Sequence, residues 1–162
     1  MKTGFICATK RQLNYGSNVA VREHFSSSSY FRYSLAYCEK NYDQIFVLCI
    51  GANYLLHPDS AVDDVDTKIQ IHDLDRPRKK KWLREISQEI KQVCPQESEL
   101  YFHTNRWYGL LFEWLHKPDL LTSEPTHFVI YEPLKSMAIG KQLHFYKQQI
   151  GQLASIKNKE AK

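Results

Sequence analysis

The chain holds 162 residues, 43% of them hydrophobic, which is enough to close one sizeable core and predicts a single domain. Its 22 Lys and Arg against 18 Asp and Glu leave a formal charge of +4, a mildly basic balance compatible with a polyanionic partner but common in other classes too. No stretch approaches the ~20 apolar residues of a membrane helix, residues 1–9 are too short an apolar run for a signal peptide, and Cys7, Cys38, Cys49 and Cys94 form neither a CxxC pair nor a zinc-binding spacing with histidine, so a reduced, cytoplasmic protein with no structural metal is expected.

Lys2–Ala8 and Gln44–Ile50 are short runs rich in Phe, Ile, Val and Cys, the composition of strands buried on both faces of a mainly parallel sheet. Between them, Ser26–Ser29 directly precede Phe31, Leu35 and Cys38 at helical spacing, so a serine there accepts hydrogen bonds from the free amides of a first turn. From Arg78 to Cys94 the stripe Trp82, Ile86, Ile90 and Val93 predicts a helix, with Pro77 before it and Pro95 ending it. Glu99–His103 reads as a strand, Asn105–His116 as a helix carrying Trp107, Leu110, Leu111 and Trp114, and His127–Tyr131 as another strand. A last helix begins near Ile139 and carries Leu143, Tyr146, Ile150 and Leu153. This alternation predicts a single three-layer α/β domain over residues 1–154, a mainly parallel central sheet covered by helices, followed by a frayed polar tail at 155–162. Residues 10–25 and 51–77 are long connections, and loops of that length more often serve binding than linkage.

In such a chain the carboxyl ends of neighbouring strands open onto a common crevice, so the polar clusters that follow the strands are expected to face one ligand. After the first strand, Thr9, Lys10 and Arg11 bring a hydroxyl, an ammonium and a guanidinium, groups that hold a phosphate or steady a leaving group; a solvated strand end has the same composition. Cys7 reads as a small buried residue rather than a nucleophile, because nothing marks it as a thiolate. After the second strand, Gly51 and Asn53 suit a tight turn, and Asn53 is alternatively an amide for the edge of a nucleobase. His57, Asp59, Asp63, Asp64 and Asp66 follow, carboxylates able to activate water or steady a developing cation; magnesium is the less common reading of such an acidic loop.

After the third strand, Asn105 is either a helix cap or a crevice amide, while Trp107 and Tyr108 have core spacing to Leu111 and Leu115 that still allows one to face the crevice. Arg76, Arg78, Lys79, Lys80 and Lys81 crowd a helix start, where the helix dipole opposes positive charge and an anionic backbone would satisfy it. The other reading pairs these cations with Glu85 and Glu89 on an ordinary solvated face.

Taken in order, Cys7-Ala8-Thr9-Lys10, Ser28-Ser29-Tyr30-Phe31-Arg32 with Ala36-Tyr37, the turn Ile50–Asp59, the step Val65-Asp66 and the closing stretch Pro133–Leu143 resemble a small family of bacterial and phage domains distantly similar to the peroxide-stress DNA-binding protein family. The similarity spans nearly the whole chain and departs from the family pattern at Ile50, Ala52, Asn53, Tyr54 and Val65. What the resemblance implies is work on nucleic acid, at the bond between base and sugar, as in phage-defence glycosylases that remove hypermodified bases; carried over, Lys10, Asn53, Asp66 and Tyr108 face the pocket.

The expected function is then a DNA glycosylase hydrolysing the N-glycosidic bond of a modified base, such as a hypermodified pyrimidine in phage DNA. That reaction develops positive charge on the sugar and negative charge on the base. Asp66 supplies the carboxylate, Asn53 and Lys10 act beside it, and Cys7, Thr9, Arg11, Tyr54, Asn105 and Tyr108 complete the substrate contacts. Arg76, Arg78, Lys79, Lys80 and Lys81 hold the DNA phosphates. The alternatives are a base-exchanging transferase and a non-catalytic nucleic-acid-binding module; DNA is the expected partner, with no cofactor, metal or membrane involved.

Overall fold

The computed structural model describes residues 1–9, 19–50, 54–62, 69–105, 108–118 and 125–160. Its strands are β1 (Lys2–Cys7), β2 (Val19–Ala20), β3 (Gln44–Leu48), β4 (Leu55–Leu56), β5 (Ala61–Val62), β6 (Glu99–His103) and β7 (Val129–Tyr131). Its helices are α1 (Val21–His24), α2 (Ser29–Asn41), α3 (Arg76–Val93), α4 (Gly109–Leu115) and α5 (Ile139–Glu160). Among these described residues no helix is long and apolar enough to cross a membrane.

The main sheet has the order β4-β3-β1-β6-β7, with β1, β3, β6 and β7 parallel and β4 antiparallel to β3. Alternation along each strand divides the core in two, because successive side chains leave opposite faces of a sheet. Phe5, Leu48, Leu100 and Phe102 meet Trp82, Ile86 and Ile90 of α3 and Leu111 and Leu115 of α4 on one face. Ile6, Ile45 and Val47 meet Phe31, Leu35 and Cys38 of α2 on the other, where α5 lies along α2. The result is the helix-covered, mainly parallel α/β domain that the alternation predicts.

Local chemistry sets the helix starts. Ser28 caps α2, its hydroxyl accepting from the Phe31 amide at 3.3 Å. α3 begins two residues before the expected Arg78, because Asp75 takes the cap position and accepts from the Arg78 amide at 2.9 Å, so Pro77 sits inside the first turn. Trp82, Ile86 and Ile90 are buried as the stripe requires, whereas Val93 at its end is exposed. α4 starts at Gly109 instead of Asn105, and the backbone of α5 stays helical to Glu160, past the point where a frayed tail was expected. Tyr146 is buried as expected, while the Leu153 side chain lies outside the described residues.

The described parts of the long connections hold β2, α1, β4, β5 and one 3-10 turn at Ile71–Asp73. Two-residue strands are too short to show periodicity, and tertiary contacts hold them in place. Thus Val21 and Arg22 donate their amides to the carbonyls of Ser60 and Pro58, and the Arg22 guanidinium bridges Asp59 at 2.5 Å and Glu39 at 2.8 Å.

Candidate functional site

The chain passes from β1 through α2 to β3 on one side, then through α3 on the other face to β6 on the far side of β1. Strand order therefore reverses between β1 and β6, and at such a switch point the loops leave in opposite directions and open a crevice at the carboxyl ends. A cleft of about 1050 Å³ occupies this place. Cys7, Ala8 and Thr9 enter it from the end of β1, Thr104 and Asn105 from the end of β6. Gly109 and Phe112 of α4 form one side, and Tyr30 of α2 with Gln142 and the connection between β7 and α5 form another.

Three of the expected substrate contacts, Cys7, Thr9 and Asn105, come together in this wall. Asn105 precedes the cap position of α4, Tyr108, and lines the cleft. Cys7 is half-buried, and desolvation pushes its thiol up to about 12 despite hydrogen bonds to Tyr108 and to the Asn105 backbone. At neutral pH it is a thiol, in keeping with the reading that it is not a nucleophile.

Tyr108 and Tyr54, expected as substrate contacts, lie outside the described cleft wall. Tyr108 is 3% exposed, sits edge-on to Trp82 at 5.8 Å, and bonds Cys7 from below the cleft, its hydroxyl held far above the usual range by burial. Tyr54 packs on the far side of Trp82 at 6.4 Å and reaches Glu85, outside the described cleft wall. Both pack edge-on against the Trp82 indole, which is anchored by its N–H to the Cys49 carbonyl at 2.9 Å. Lys10, Arg11, Asn53 and Asp66, with Asp63, Asp64 and Trp107, lie outside the described residues.

The basic helix start has a definite position. Trp82, one turn beyond it, reaches the carboxyl end of β3, while Cys94 at the other end of α3 lies 3.9 Å from Thr3 and 3.8 Å from Gln44, at the amino ends of β1 and β3. α3 therefore runs antiparallel to the strands, and its cations stand at the sheet edge that carries the cleft. Part of the cluster is paired locally, Arg78 with Asp75 at 3.6 Å and Lys81 with Glu85 at 3.9 Å. Arg76 and Lys80 are exposed and have no ion-pair partner among the described residues.

Tyr30, Gln142, Glu132 and Lys135 were not recognisable as site residues from local pattern. They arrive from α2, from α5 and from the β7–α5 connection, and only tertiary packing brings them to the ends of β1 and β6. Tyr30 lies in the helix opening Ser28–Arg32, and Lys135 and Gln142 lie in the stretch Pro133–Leu143, but neither motif was read as part of a site. Glu132 and Lys135 pair at 3.1 Å and brace that connection.

The chain belongs to a family of unknown function (DUF6884), whose model matches residues 5–148. No curated protein and no solved structure matches it.

Proposed function

We propose that this protein is a DNA glycosylase that binds a modified base in the cleft between the ends of β1 and β6 and hydrolyses the bond to its sugar. The observation that carries this reading is a cleft of about 1050 Å³, large enough for a nucleoside, at the switch point where parallel sheets hold such ligands. Thr9, Asn105 and Gln142 offer hydroxyl and amide groups to a base edge, and Phe112 and Met137 offer apolar surface to its faces. The cations that begin α3 stand on the same edge of the sheet, where a strand delivering a base would pass.

The choice of bond comes from the family resemblance of the motifs. In the proposed reaction water adds to the anomeric carbon of the sugar, the electron pair of the glycosidic bond leaves with the base, and the base takes up a proton. Asp66 would steady the cationic sugar and accept the proton of the water, with Lys10 and Asn53 stabilising the departing base. Among the described wall residues the carboxylate is Glu132, and its pairing with Lys135 makes it a brace of the loop rather than the general base.

The test is mass spectrometry of bases liberated from unmodified and phage-modified DNA. Release of one modified base is expected, abolished by Asp66→Asn with DNA affinity largely intact. Full release by Asp66→Asn would remove that residue from the mechanism. Incorporation of an added free base would identify a transferase, and DNA binding without release from any substrate would identify a non-catalytic module.

A further inference from the structure

Gln142 is 7% exposed, stands in the cleft wall and makes two side-chain hydrogen bonds. Its Oε1 accepts from the Tyr30 hydroxyl at 2.6 Å, and its Nε2 donates to the Met137 carbonyl at 2.8 Å. A backbone carbonyl only accepts, so the amide cannot turn over without setting its oxygen against another oxygen. Tyr30 has one proton and gives it to Gln142, and its ring packs edge-on against Tyr146 at 5.8 Å. Behind it the Tyr146 hydroxyl bonds His103 Nδ1 at 2.8 Å, and the other ring nitrogen, Nε2, bonds the Tyr42 hydroxyl at 2.6 Å. Burial lowers the imidazole to about 4, which keeps it neutral.

A primary amide has two N–H groups and two acceptor lone pairs. Gln142 uses one of each, and one N–H and one lone pair have no partner among the described residues. A donor beside an acceptor is the pattern that reads the edge of a nucleobase, as amide side chains do with adenine.

We infer that Gln142 reads the base in the cleft through its remaining N–H and lone pair, and that the Tyr30 hydroxyl and the Met137 carbonyl are the positioning groups that lock the amide in that orientation. The inference rests on the proposed base-binding cleft and adds the residue that selects the base. The ligand it specifies carries an acceptor and a donor side by side on one edge.

The test is a titration of the nitrogen-15-labelled full chain with the four deoxynucleosides and hydroxymethyldeoxycytidine, followed by NMR on the side-chain amides, with Gln142→Leu assigning the Gln142 signal. At least one nucleoside is expected to move that signal, and Tyr30→Phe is expected to weaken its binding about tenfold, the effect of one lost oriented hydrogen bond. A nucleoside that moves the Asn105 signal and leaves Gln142 untouched overturns the inference while the cleft stands as the base site. Silence with all five overturns both. The positioning role has a readout that needs no ligand: Tyr30→Phe should move the Gln142 side-chain amide signal of the free chain, and an unmoved signal overturns the role given to Tyr30.

Discussion

At Gly4 there is no room for a side chain: a methyl group there would collide with the ring of Tyr42. That ring stacks on Tyr101 at 4.6 Å and holds His103 through its hydroxyl, so its position governs the aromatic layer between the sheet and α5. Gly4→Ala is expected to cost about 1–3 kcal/mol by overpacking, read as a lower midpoint of urea unfolding. An unchanged midpoint would show that Tyr42 moves aside freely. The same scale shows what single residues disclose in a sequence. Cys7, Thr9 and Asn105 were legible because they end strands, and strand ends in this class face the crevice. The burial of Tyr108 was legible in its core spacing to Leu111 and Leu115, whereas the packing of Tyr54 was not, because the Trp82 ring it meets lies far along the chain.

At the scale of elements, α3 was the most legible part of the chain, since the stripe Trp82, Ile86 and Ile90 marks its buried face, while the Asp75 cap sets its start. The charges at its start divide as the geometry separates them. Arg78 and Lys81 already have carboxylates nearby, whereas Arg76 and Lys80 are the cations open to a backbone phosphate. The double variant Arg76→Ala, Lys80→Ala is expected to lower the slope of log affinity against log salt for DNA by about 1–2, and an unchanged slope would make this helix start a solvated surface. The two-residue strands β2, β4 and β5 were illegible for the opposite reason. Their conformation comes from partners such as Ser60 and Pro58 bonding α1, which no local pattern records.

The whole molecule is an α/β sheet whose buried ionisable groups define a window of stability. His103 is lowered to about 4 from the usual 6.5, so below 6.5 the unfolded chain takes up a proton that the folded chain refuses. This contribution is complete above that pH and is lost as the pH falls toward 4, amounting to about 3 kcal/mol. Burial raises Cys7 and Cys49 to about 12 and Cys94 to about 11 from the usual 9, so above pH 9 the unfolded chain loses protons first and stability falls again. Urea unfolding across a pH series should therefore show a plateau between those limits; full stability retained at pH 5 would mean that His103 is not held neutral. The alternation of strands and helices disclosed this architecture, and strand order, which decides where the cleft lies, came only from the paired register of β1 with β3 and β6.

The central claim is that the cleft at the β1–β6 switch point holds the base, and Gly109 allows a direct measurement of it. Gly109 lines the cleft, and a Cβ added there meets nothing within 4 Å, so a larger side chain fills the cleft without disturbing α4. Base release by Gly109→Leu, compared with the original chain at matched circular dichroism, is expected to fall by at least about tenfold, the loss that follows when bound geometry is displaced. Release at the original rate from the folded variant would contradict the account.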